Sequence, residues 1–127
     1  MSHELVFWQR EHSQAMNSPA VYAALMDGGV IDGLRTLPIE DIASAILAAF
    51  PRAVREPNGP GSEWIVWESE SERGSFQVEW SSQYVRVDLR PLDHDIANRF
   101  IDIMTDRFRC PLYDPQTRER FDSTMDT

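Results

Sequence analysis

Apolar positions along this chain change period several times, and each change marks an element. Leu5-Val6-Phe7-Trp8 is a short, uninterrupted apolar run, the pattern of a buried strand. Ser18 is placed to cap the next segment, with Pro19 at its first helical position. Good helix formers then run to Met26, with Val21, Tyr22 and Leu25 on one side, and Asp27-Gly28-Gly29 ends the helix. A glycine-rich loop to Thr36 follows, with Val30, Ile31 and Leu34 as anchors. Pro38 opens the clearest helix. Ile39, Ile42, Ala43, Ile46, Leu47 and Phe50 make an apolar stripe of helical period, and Pro51 stops it. Glu40 and Asp41 sit in its first turn, where carboxylates suit the helix dipole.

Beyond the turn cluster Pro57-Asn58-Gly59-Pro60-Gly61 the period falls to two. Val54-Arg55-Glu56, before the cluster, is at most a short edge strand. Residues 64–69, 75–81 and 84–90 read as three strands joined by short links, which predicts an antiparallel meander. Phe76, Val78 and Trp80 alternate with Gln77 and Glu79; Val85, Val87 and Leu89 alternate with Arg86, Asp88 and Arg90. A sheet with one wet face has this pattern. Asp93 is the expected N-cap of a second long helix from about residue 94 to 108, buried through Ile96, Phe100, Ile103, Met104 and Phe108. Leu112-Tyr113 reads as a short strand, Asp114-Pro115-Gln116-Thr117 as a turn, and the polar tail from about 122 as frayed.

The expected order is therefore β-α-α-β-β-β-α-β. The expected fold is a single α+β domain over residues 1–127. It is a two-layer sandwich in which a mainly antiparallel sheet of four to five strands packs on two long helices. A chain of 127 residues buries roughly two-thirds of its unfolded surface, enough for a core without staples. Cys110 is the single cysteine, so no internal disulfide forms. The N-terminus lacks the basic and long apolar regions of a signal peptide, and no apolar run approaches the roughly 18–20 residues that span a bilayer. The cytoplasm is the expected location, and no membrane contact is expected.

Charge narrows the function classes. The formal net charge is -9, from 21 Asp+Glu against 12 basic residues, every one of them Arg. Such a balance opposes direct nucleic-acid binding, because a phosphate backbone repels it. No catalytic motif stands out. His94 lies in Asp93-His94-Asp95, where acids at a helix start serve as caps more readily than as metal ligands, so no metal site is expected. Cys110 stands roughly 20 Å from His94 along one helix at about 1.5 Å per residue, too far for a Cys-His nucleophile. Gly28-Gly29 and Gly59-Pro60-Gly61 lack a phosphate-loop pattern. Neither a cofactor nor an enzymatic activity is expected.

The remaining feature is an acidic-aromatic block: Glu63, Trp64, Trp67, Glu68, Glu70, Glu72 and Glu79, with Trp80 beside it. It reads either as a hairpin kept in solution by its charge or as a docking surface for a basic protein, where Trp anchors and carboxylates act together. Alternation sends Trp64 and Trp67 to opposite faces.

Glu4-Leu5-Val6-Phe7-Trp8, together with Cys110-Pro111-Leu112-Tyr113-Asp114-Pro115-Gln116-Thr117, resembles segments of small bacterial proteins. The layout as a whole resembles the small acidic immunity proteins encoded beside secreted bacterial toxins. That resemblance implies a non-enzymatic inhibitor whose acidic face meets the basic cleft of a toxin, such as a nuclease. The class shares no catalytic residues, so none carries over. Two alternatives stay open. One is a small ligand-binding domain or enzyme using Arg86, Asp88 and Arg90, where two arginines on alternate positions hold a carboxylate or phosphate. The other is a homodimer formed through an open sheet edge.

Overall fold

The structure is a computed structural model that describes residues 3–11, 16–69, 74–90 and 93–121. Among these residues seven strands form one sheet in which every pairing is antiparallel. They are β1 (His3–Phe7), β2 (Val54–Pro57), β3 (Glu63–Glu68), β4 (Ser75–Trp80), β5 (Val85–Arg90), β6 (Leu112–Asp114) and β7 (Glu119–Phe121), in the spatial order β2-β3-β4-β5-β1-β6-β7. Three helices accompany them: α1 (Ser18–Met26), α2 (Ile39–Ala49) and α3 (His94–Ile101), the last running directly into a π-helical segment, Asp102–Arg107. Among the described residues, no helix is long and apolar enough to cross a membrane.

This corrects the expected four- to five-stranded sandwich on two long helices. The first strand is central, and both its faces are covered. Leu5 and Phe7 join the larger core, with Ile42, Ile46 and Phe50 from the second helix and Ala97 and Phe100 from the third. Val6 and Trp8 join a second core on the opposite face, with Val21 and Leu25 of the first helix, Leu34 and Tyr113. From Leu5 to Trp8 every position is apolar and buried, which leaves this stretch no wet face, so cover is needed on both sides.

The two unforeseen features each trace to one side chain. The final strand has no apolar alternation in Glu119-Arg120-Phe121 to announce it. It is recruited by one arginine: the Arg120 guanidinium donates to the Trp8 carbonyl at 3.0 Å and lies 4.6 Å from the centre of the Trp8 ring. The third helix is shorter than its stripe suggests because the Thr105 hydroxyl donates to the Ile101 carbonyl at 2.6 Å, where the backbone widens into the π-helical segment. Arg109, at a φ of 55°, then ends the run, and the Cys110 N–H returns to the Met104 carbonyl at 2.8 Å. The cap of α1 also falls one residue earlier than expected: the Asn17 side chain, rather than Ser18, accepts from the Ala20 N–H at 3.0 Å.

The larger core is organised around aromatic rings. Phe50, Phe76 and Phe100 meet with centroids 4.9 to 5.1 Å apart, and Trp67 stacks on Phe76 at 5.2 Å. The loop after α1 is strapped to the sheet by Gln83, which is 7% exposed. Its side-chain oxygen accepts from the Ile31 N–H at 2.9 Å, and its amide donates to the Ile31 carbonyl at 2.9 Å and the Leu34 carbonyl at 3.4 Å. No apolar residue can replace those partners. Gln83→Leu leaves one donor and two acceptors unmatched, and is expected to lower the unfolding free energy by about 1–3 kcal/mol in urea titrations. A variant as stable as the wild type would show that the strap contributes nothing.

Candidate functional site

The register of the strands settles which side chains share the polar face. Strand neighbours place Glu4, Asp88, Gln77, Val66 and Val54 in one row, and Arg86, Glu79, Trp64 and Glu56 in the next. Ser75 pairs with Arg90 on one side and Glu68 on the other, giving a third row on the same face. This is the face that α1 covers at β1 and β6. The second core holds no residue of β2, β3 or β4, so among the described residues that half of the sheet carries no helix.

The acidic-aromatic block is divided by the sheet. Trp64, Glu68 and Glu79 lie on the uncovered face. Trp64 is half-buried, and its indole N–H donates to Glu56 at 3.2 Å. Val54, which is 52% exposed, and half-buried Val66 extend the apolar surface beside it. Glu56, Val54 and Val66 had no place among the expected contact residues. The period-two alternation with Trp64 could have found Val66, while Val54 and Glu56 needed the pairing of the edge strand. Glu63 and Trp67 lie on the opposite, helix-bearing face. Trp67 packs against Phe50 and Phe76, and Glu63 shares the Arg55 guanidinium with Glu40 of α2, at 3.0 and 2.8 Å respectively. Glu70 and Glu72 lie outside the described residues, as do His12 and the tail from 122.

Arg86, Asp88 and Arg90 do share the polar face, but their charges are already met. Arg86 sits between Glu79, at 3.1 Å, and Glu4, with which it makes a close ion pair. Arg90 binds the Asp88 carboxylate at 3.0 Å. An incoming phosphate or carboxylate would have to displace a resident carboxylate, so this trio is a poor receptor for anions. Asp93 accepts from the Asp95 and Ile96 N–H groups at 2.9 and 3.1 Å and is a helix cap. Among the described residues, no group of three or more His, Cys, Asp or Glu side chains is placed to hold a metal ion. Cys110 is buried, and burial pushes its thiol up to about 12, so it remains protonated and unreactive at neutral pH.

The boundary between the covered and uncovered halves is a polar network. The Tyr22 hydroxyl of α1 donates to Glu4 at 2.7 Å, and Glu4 in turn holds Arg86. Burial raises the Glu4 carboxyl, but the hydrogen bonds from Arg86 and Tyr22 outweigh it and hold the group below its ordinary value. The same burial and the Glu4 carboxylate push the Tyr22 phenol up, from 10.0 to about 12.

The chain matches no family model and no curated protein.

The Tyr22 shift makes a pH prediction. Its folded value lies above its unfolded one, so its contribution is complete below pH 10 and lost as pH rises towards 12. Urea midpoints of the wild type are expected to fall more steeply across that window than those of Tyr22→Phe. Parallel curves would mean that the phenol does not feel Glu4.

Proposed function

We propose that this protein is a non-enzymatic binding module and that its partner docks on the uncovered half of the sheet. The observation that carries this reading is the face itself, where Trp64, Val54 and Val66 stand among Glu56, Glu68 and Glu79 with no described helix over them. Apolar anchors in a rim of carboxylates suit a partner with the opposite charge, and the overall charge of -9 steers a basic protein towards it. Arg86 and Arg90 neutralise carboxylates of that face, Glu79 among them, and Glu56 and Glu68 are left without an ion pair among the described residues.

The role is that of a cytoplasmic immunity protein, which inhibits a cognate bacterial toxin by covering a basic cleft such as that of a nuclease. The acidic docking face and the acidic overall balance of the chain support this role. In this reading inhibition is steric and electrostatic and needs no reacting group.

The test is capture from native host lysate at low salt, eluting with a salt gradient, followed by an activity assay of the captured protein. A basic protein is expected to elute at moderate salt, and adding this protein should suppress its toxic activity. Trp64→Ala is expected to weaken the complex by about 2 kcal/mol or more, whereas Glu63→Arg on the other face should leave it intact. Equal loss with both variants, or with neither, would put the contact elsewhere.

A further inference from the structure

The uncovered face contains an open groove of about 460 Å³ at the β2–β3–β4 end, lined among others by Val54, Val66, Glu68, Ser75 and Gln77. Its floor is apolar and its far side is polar, because Val54, Val66 and Gln77 are successive partners across three strands. Its polar side chains have acceptor capacity that nothing among the described residues uses. Among the described residues, the Glu68 carboxylate, the Gln77 amide and the Ser75 hydroxyl have no hydrogen bond or ion pair. Among the described residues Arg52 is the one cation in the lining, and it already has an interaction of its own.

The next residue in the row has the same deficit. Asp88 lies directly across from Gln77 and is only 8% exposed. Its Oδ2 takes Arg90, while its Oδ1 is buried with no hydrogen-bond partner. The Asp88 charge is met by Arg90, but this second oxygen keeps an unused acceptor beside the groove.

We infer that this groove receives an arginine side chain of the basic partner, which rests on the docking reading above. The methylene stem lies along Val54 and Val66, where a long side chain covers apolar surface while its head stays polar. The guanidinium reaches the Glu68 carboxylate and the Gln77 side-chain oxygen together. A planar fork with five donors suits two separated acceptors, whereas a lysine ammonium is a compact, strongly hydrated point charge. An anion is disfavoured, because the only lining cation among the described residues is engaged.

The test is an NMR titration of the full chain with Nα-acetyl-arginine-N-methylamide, and with its lysine and norleucine counterparts. Saturable shifts are expected at the Val54, Val66, Glu68 and Gln77 amides, with arginine binding about tenfold more tightly than norleucine. Glu68→Gln should remove about that factor, and Glu63→Gln on the opposite face should not. Absence of saturable shifts at the groove, equal binding of norleucine, or undiminished binding to Glu68→Gln would each overturn the inference. The two readings fail separately. If capture of the partner depends on Trp64 but the arginine titration is negative, the docking face stands and the groove assignment falls. If the groove takes arginine but Trp64→Ala leaves capture unchanged, the docking reading falls instead.

Discussion

Everything in this fold depends on an interior stretch of chain, Leu5 to Trp8, that has no wet face. Leu5, Val6, Phe7 and Trp8 are each at most 3% exposed. They can be so only if apolar matter packs on both sides of the sheet. Two helices supply one side. The other is supplied by α1, the strapped loop after it and Tyr113. The cover on this second side is economical: one nine-residue helix reaches β1 and β6 but not β2, β3 or β4. A sheet of seven strands is thereby left half-clothed on one face, and its unclothed half becomes available for a partner.

The transition between the two halves is electrostatic rather than apolar. Glu4 and Arg86 stand where cover gives way to solvent, and a salt bridge there has less water to displace than one in the core. Tyr22 anchors α1 to that pair through its hydroxyl, so the edge of the covering layer is set by a directional bond. Beyond this line, carboxylates and a tryptophan follow in register with the same alternation that buried valines and leucines on the far side. One pattern of period two thus specifies both the core and the candidate docking face, and a slip by one residue would exchange them.

Much of this was legible in the residues. The stripe from Ile39 to Phe50 named α2, and the alternation in β4 and β5 named a sheet with one polar face. The separation of Trp64 from Trp67 followed from period two alone. Other parts depended on long-range pairings that leave no local trace. Arg120 makes a strand of Glu119-Arg120-Phe121 by reaching Trp8, which is 112 residues away in sequence. The block of Glu63, Trp64, Trp67 and Glu68 looked like one surface because its residues are consecutive. Consecutive strand residues point to opposite sides, so Glu63 was claimed by Arg55 and Trp67 by the aromatic core. The apolar run of β1 marked it as buried, yet the demand for helices on both faces was not drawn from it, and the expected fold lost a layer.

The arginine content bears on why the uncovered face is suited to binding rather than chemistry. With no lysine in the chain, every cation on that face is a guanidinium able to hold a carboxylate by a directional bond, as Arg86 holds Glu4 and Glu79 and Arg90 holds Asp88. Such pairs fix side chains in place and lower the entropy lost when a partner arrives. They also use up the positive charge locally. Among the described residues, Glu68 is left without a cation, and the buried Oδ1 of Asp88 without a donor. A preorganised surface whose unpaired charge has one sign discriminates by charge first and shape second.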